Sequence, residues 1–415
     1  MTVSPMTVSP MTALACDVAV VGAGPAGLMA AERIAAAGHG VRVFDRMPTP
    51  ARKLLLAGQG GLNLTHSEPL DRFVTRYGAR EAFFRAALAG FTPDDLRAWA
   101  AGLGVETFVG TSGRVFPAQM KASTLVRAWL RRLEGLGVVL HARHRWQGWG
   151  EDGDLRFTDA GGGDVTVRAR AVVLALGGAS WPRTGSDGAW TALLAARGVD
   201  LAPLRPSNMG FEVPWSDHFR ERNEGQPVKS VALTVGGRRV KGEFVVTATG
   251  IEGGAVYTLS APLRDAVERE GWAPLGLDLM PDMDETALRK RLSGRGAQSL
   301  STFLKKTINL TGVRYALLRE FASRDDLADA AGLARAIKGL SMPVVGVCGL
   351  ERAISTAGGI RLEEVDDALM LKRLPGVFVA GEMLDWEAPT GGYLLQGCFA
   401  TAVRAAGGVL ARLAA

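Results

Sequence analysis

The chain opens on a change of hydrophobic rhythm. Val18 to Val21 is an unbroken apolar run, as a strand buried on both faces requires. Beyond Gly22 the apolar positions take helical spacing, from Pro25 through Ala-rich sequence to Ala37, with Gly38 as the stop. A second apolar run, Val41 to Phe44, ends at Asp45, and the three elements together predict a βαβ unit. Residues 70–135 read mostly as helices, interrupted at Gly113 to Pro117. Short β stretches follow around Val138 to His141 and from Leu155 to Val167, and Ala171 to Leu176 is another buried strand. Residues 228–260 alternate in the manner of antiparallel strands, with Gly236-Gly237 as a hairpin turn. Residues 285–340 predict several short helices, including the one that begins at Leu300, and Val344 to Val347 predicts a return to the parallel sheet. Near the end, Val377 to Ala380 is a further buried strand, and Gly391-Gly392-Tyr393 opens a last helix.

This order predicts an α/β chain with one discontinuous nucleotide-binding domain, residues 14–200 and 344–415. Residues 201–343 are an insertion, antiparallel over about 201–260 and helical over about 261–343. Residues 1–13, in which Met-Thr-Val-Ser-Pro occurs twice, predict a disordered tail. The apolar stretch Leu14 to Ala31 resembles a signal peptide or membrane span in composition. Asp17 and Pro25 interrupt it and no basic residue precedes it, so a strand, a glycine turn and a helix account for it better.

Composition adds constraints. The 415 residues are 47% hydrophobic and 22% charged, which excludes a disordered or membrane-embedded chain and leaves a globular enzyme or binding protein. The net charge of +6 comes without a long Lys/Arg run, so it reads mainly as solvated surface, with RNA as a secondary partner. Cys16, Cys348 and Cys398 form no Cys-x-x-Cys, which argues against a dithiol relay or a metal site and points to a reducing, cytoplasmic setting. His141 and His144 have metal-like spacing but lie in a predicted strand without acids or cysteines nearby, and read as sheet-surface residues. The oligomeric state is not legible.

The candidate chemistry sits at the two ends. In Val21-Gly22-Ala-Gly24-Pro25-Ala26-Gly27, Gly22 allows the tight turn, Gly24 the approach of a pyrophosphate, and Gly27 close helix–strand packing. The pyrophosphate would lie on the helix N-terminus, where unpaired N–H groups and the helix dipole favour negative charge. Asp45 follows Gly27 at close to the ~20 positions expected of the ribose-binding acid. Asp45 also disfavours a 2′-phosphate, although Arg46 stands beside it. At the other end, Gly381-Glu382 closes a buried strand, Asp385 is placed for a polyhydroxyl chain, and the helix opening at Gly391-Gly392-Tyr393 would stabilise charge on a reduced ring. A cofactor held from both ends points to FAD rather than NAD.

Several segments in order carry a family resemblance. They are the fingerprint through Gly27, Arg52-Lys53-Leu54, Gly113 to Pro117, Leu176-Gly177-Gly178-Ala-Ser180 with Pro182 and Thr184 to Gly188, Thr356 to Ile360, Ala380 to Asp385, and Pro389 to Tyr393 with Leu395 and Gln396. With them the chain resembles the HI0933-like family of NAD(P)/FAD-dependent oxidoreductases, within the glutathione-reductase-type flavoproteins. The resemblance implies a split Rossmann-like FAD-binding domain with an inserted β-barrel-like and helical region. It implies non-covalent FAD held by Gly22, Gly24, Pro25, Ala26, Gly27, Asp45, Arg46, Lys53, Asn63, Gly177, Gly178, Gly381, Glu382, Asp385, Gly391, Gly392, Tyr393 and Leu394. It also implies reduction of a conjugated C=C or carbonyl substrate by hydride from flavin N5, with steroid-like enones and uracil in ribosomal RNA as the family's substrates. One segment departs from the pattern: where the family's loop carries Arg and Cys, this chain has Gly61 and Leu62. No second dinucleotide fingerprint is present, so NAD(P)H would dock transiently or electrons would come from another protein. His66, Arg114, Lys121 and Tyr393 are the candidates for substrate contact or proton donation. A binding protein with a structural flavin is the non-enzymatic alternative.

Overall fold

The computed structural model describes residues 12–58 and 60–415, which divide into two compact units. Unit 1 takes in the chain up to Arg205 and again from Ser355 to Ala415; unit 2 is Pro206–Ile354. The expected tail falls at residues 1–11 outside the described residues, but Thr12 and Ala13 already pair with Val165 and Thr166.

Unit 1 is built on β1 (Thr12–Val21), α1 (Pro25–Ala36) and β2 (Val41–Asp45). β1 is parallel to β2, and its full length runs parallel to a long strand, Asp164–Leu174. The sequence suggested two strands in that stretch; they are one, because β1 supplies a partner along all of it. The first half of that strand forms an antiparallel pair with Leu155–Thr158, and its second half pairs in parallel with Val377–Val379. The C-terminal strand is thereby delivered beside the N-terminal fingerprint. The fully buried Leu28, Met29 and Ile34 of α1 each contribute ~1.5–3 kcal/mol of apolar burial.

The last helix, Tyr393–Ala414, is long and apolar enough to span a bilayer by length and composition. Here its face Phe399, Ala400, Ala402, Ala405, Ala406 and Val409 lies in the unit 1 core. Small residues on this helix and on α1 let the two approach closely.

Unit 2 carries an antiparallel sheet. Its strands lie in the order Leu340–Val344, Ala273–Asp278, Pro227–Val235, Arg238–Val246, Gly250–Glu252, Phe211–Glu212 and Gly346–Val347. The two ends of that order are consecutive in the chain, separated only by Val345, so the sheet must curl back on itself. This is the barrel-like insertion. Gly236 and Gly237 take φ of 53° and 76° at the expected hairpin turn.

Two boundaries need correction. The domain junctions expected after residues 200 and 343 fall at 205/206 and 354/355. The strand at Val344 to Val347 does not return to the parallel sheet: it pairs with Ala273–Asp278 and Phe211–Glu212 in unit 2. Likewise the region expected to be helical, 261–343, contains the strand Ala273–Asp278. A buried apolar run has the same pattern in either kind of sheet, so hydropathy could not assign the partner.

Candidate active site

Unit 1 contains a cleft open to solvent. Its walls come from both ends of the chain: Val21 to Ala26, the end of β2 from Phe44 to Met47, Arg52 to Leu54, Ala175 to Gly177, Thr184 to Asp187, and Ala380, Glu382 and Cys398.

The fingerprint glycines divide the work. A Cβ on Gly22 would lie 2.3 Å from Ala175 O, and one on Gly27 would lie 1.8 Å from Gly22 O. Both positions are closed by packing. A Cβ on Gly24 would meet nothing within 4 Å, so the backbone there borders open cleft. Gly24 also caps α1 without any side-chain cap, and the first intrahelical bond is Leu28 N to Gly24 O at 2.9 Å. The preceding helical amides, at Ala26 and Gly27, are left for an anion.

Asp45 lines the cleft, and its carboxylate accepts from Ala23 N and Met47 N, each at 2.7 Å. Burial raises its pKa above the usual carboxylate range, while the two amides pull it back in part. Lys53, Gly177 and Glu382 also line the cleft. Lys53 Nζ donates to Ser180 Oγ at 2.6 Å and to Glu382 at 3.0 Å, and Thr356 N donates to the same carboxylate at 2.9 Å. Glu382 therefore ties together three distant segments. Arg52 Nε, Trp146 Nε1 and Ser186 Oγ are buried in residues of the same cleft and have no partner among the described residues. Three orphaned polar atoms around one cleft fit a site completed by a polar ligand.

The other expected contacts lie elsewhere. Gly27 and Gly178 pack behind the wall; a Cβ on Gly178 would lie 2.3 Å from Thr356 Oγ1. Gly381 packs on Ala26. Asn63 does not line the cleft: its side-chain amide donates to Thr65 O at 2.8 Å and Val115 O at 3.1 Å, bracing its own loop. Asp385 is held by Arg80 through an ion pair to the carboxylate and a 3.1 Å bond to its carbonyl. Gly391 and Gly392 take φ of 135° and 93°, and a Cβ on Gly392 would lie 2.5 Å from the Thr65 backbone. Leu394 packs against the core.

Three of the four substrate-side candidates meet around Tyr393. His66 stacks on the Tyr393 ring at 5.5 Å between centroids, and Arg114 pairs with His66 across two strands. Tyr393 donates its hydroxyl to Glu68 at 2.7 Å, and Arg76 clamps Glu68 at 2.9 and 2.7 Å. Burial and the hydrogen bond to Glu68 raise the Tyr393 pKa, so the phenol keeps its proton at neutral pH. Burial would raise Glu68 as well, but the bonds from Arg76 and Tyr393 outweigh it and hold the carboxyl low. His66 accepts from Glu68 N at Nδ1, so Nε2 bears the hydrogen donated to Ser112 O. Both ring nitrogens are thus committed to backbone. Lys121 stands exposed at the start of the helix Ala122–Gly135. In the divergent loop, Leu62 is buried in the unit 1 core, so that position holds packing rather than a substrate contact.

The wall residues missed from sequence include Arg145, Trp146 and His144, expected on a sheet surface. His144 N bonds Asp45 O at 2.9 Å, which brings its segment to the end of β2. A strand pairing of this kind leaves no local signal. His141 lies in the neighbouring strand, stacked on Phe44 at 4.6 Å. Burial lowers its pKa from 6.5 to about 4, with His144 and Arg42 adding repulsion. The folded state disfavours the protonated ring, so stability is full above pH 6.5 and is lost as pH falls toward 4. His141→Phe, which keeps the stack, is expected to flatten this loss in urea midpoints measured from pH 7.5 to 4.5; an unchanged slope would refute it.

A glycine turn opening a helix on a parallel strand, an acid at the end of the next strand and a returning C-terminal strand define a dinucleotide-binding flavoprotein fold. Residues 16–408 match the HI0933-like protein Rossmann domain, and the chain belongs to the HI0933-like family of FAD-dependent oxidoreductases. It is 27% identical over 408 residues to the 3-dehydro-bile acid delta(4,6)-reductase of Clostridium scindens, covering 92% of this chain and 96% of that protein. It is 25% identical over 403 residues to the ribosomal RNA dihydrouridine synthase of Escherichia coli, covering 93% and 96%. The 3-ketosteroid delta1-dehydrogenase of Sterolibacterium denitrificans shares the fold alone, with a TM-score of 0.53 at 15% identity over 96% of this chain and 99% of that one.

Proposed function

We propose that the cleft holds non-covalent FAD and that the enzyme reduces a C=C bond conjugated to a carbonyl, with NAD(P)H as a transient reductant. The observation that carries the first part is that both ends of the chain wall one cleft, with Gly24 open and three polar atoms unpartnered. The second part is supported by the chemistry shared by two relatives: a 3-oxo-4,6-diene and a uracil ring are both enone-like acceptors. When bound, FAD supplies the hydride at its N5 position. Gly22, Gly24, Pro25 and Ala26, with the N-terminus of α1, would hold its phosphates, and Asp45 its ribose. Lys53 and Glu382 fix the floor of the cleft. Three unpaired thiols support a reducing, cytoplasmic setting.

The test is anaerobic. Purified protein is expected to be yellow, to bleach with NADH or NADPH, and to regain colour with a steroid-like dienone. Recovery with a uridine-containing ribosomal RNA fragment instead would favour the RNA reading, which the basic net charge also supports. Colourless protein that takes up no FAD would refute the proposal.

A further inference from the structure

Asp187 sits where two guanidinium groups meet at the cleft. Arg46, which directly follows the ribose-side acid Asp45, places Nη1 2.6 Å from Asp187 Oδ2. Its Nη2 donates to Pro182 O at 2.7 Å and its Nε to Gly185 O at 3.1 Å. Arg145 brings its own Nη2 to 3.4 Å from the same carboxylate oxygen. The other oxygen, Oδ1, accepts from Ala189 N at 3.1 Å, which fixes the side chain. Asp45, Arg46, Arg145 and Asp187 all line the cleft. Arg143 N to Met47 O at 3.1 Å and His144 N to Asp45 O at 2.9 Å tie their segments side by side.

Arginine is the residue that binds phosphate in a bidentate manner, and a nearby arginine is how this fold accepts a 2′-phosphate. Here two arginines stand at the ribose end, and one aspartate occupies both. We propose that Asp187 sets the choice of nucleotide: its carboxylate offsets one of the two positive charges of Arg46 and Arg145 and would repel a phosphate placed between them, so the cleft takes an adenosine with free ribose hydroxyls and rejects a 2′-phosphorylated one. The inference rests on the reading that this cleft holds the adenosine half of FAD. It carries a consequence for that reading: NADPH does not compete for the FAD cleft, and a nicotinamide reductant must meet the flavin from elsewhere.

ADP-ribose and 2′-phospho-ADP-ribose differ only in the phosphate in question. Their affinities for FAD-stripped protein are measured by competition with FAD fluorescence. Wild-type protein is expected to favour ADP-ribose by at least about tenfold, ~1.4 kcal/mol. Asp187→Asn should lower that preference about tenfold by removing the negative charge beside the two arginines. Arg46→Gln should move it the opposite way, since it leaves Asp187 with Arg145 alone, and so provides a test even where Asp187→Asn fails to fold. A wild-type protein that favours the phosphorylated ligand, or a preference that neither variant changes, overturns the inference while leaving FAD in place. A wild-type protein that binds neither FAD nor ADP-ribose overturns the cofactor reading itself.

Discussion

Gly24→Glu is expected to fold and to lose its flavin. The backbone at Gly24 is extended, φ −82° and ψ −177°, a conformation open to any residue, and a Cβ there meets nothing. The new carboxylate would project from the N-terminus of α1 into the space assigned to the pyrophosphate. As an acid at a helix N-terminus it costs the fold nothing and stabilises it by ~0.3–1 kcal/mol. As a charge facing the phosphates it should weaken FAD by about 100-fold or more, ~2.7 kcal/mol. The measurements are flavin per chain after purification and the urea midpoint of the stripped protein. Stoichiometric FAD in this variant would remove the phosphates from α1. Gly27→Ala should behave in the opposite manner. Its methyl would lie 1.8 Å from Gly22 O, so the defect would appear in the fold itself, at about 3 kcal/mol or more.

The second large effect concerns Glu32, a buried carboxylate on α1. It accepts from Trp129 Nε1 at 2.6 Å, from Trp99 Nε1 at 3.2 and 3.1 Å, and from Arg132 at 3.0 Å. Glu32→Ala would leave two buried indole N–H groups unpaired and Arg132 without its ion-pair partner. The expected cost is ~3–5 kcal/mol, read as a fall in urea midpoint at constant slope. A change under ~1 kcal/mol would mean that water replaces the carboxylate, and that the tryptophan pair does not depend on it. Because α1 also presents the phosphate-binding amides, weaker FAD binding should accompany the lost stability.

The sequence was legible where a function has a local form. The fingerprint, the acid at the end of β2 and the buried strands follow from spacing and rhythm within about 30 residues. The same is true of the hairpin at Gly236-Gly237, because a type I′ turn, one of the two that join such strands tightly, needs two positive φ values that glycine supplies without strain. Asp385 and Asn63 show what that logic cannot name. Each is of a type suited to a cofactor contact, and the structure adds partners that spacing does not give: Arg80 pairs with the first, and the carbonyls of Thr65 and Val115 accept from the second. A side chain's partner is chosen among all neighbours in space, and sequence spacing names only the local ones.

By itself the sequence determined the class of ligand: glycines where backbone must approach a pyrophosphate, an acid where a ribose must be held, and a second glycine-rich strand near the C-terminus. Tertiary structure decided what completes the site. Pairing of Val377–Val379 with Val172 to Leu174 brings Glu382 to Lys53 across more than 300 residues. Closure of the second sheet claims Val344 to Val347, which hydropathy had given to the first. Pairing of Arg42–Asp45 with Val139–Ala142 leads the chain on to His144, Arg145 and Trp146 at the cleft. Strand pairing is non-local: its hydrogen bonds are made between backbones, which carry no residue identity. The residues it places together are therefore found only once the sheet is known.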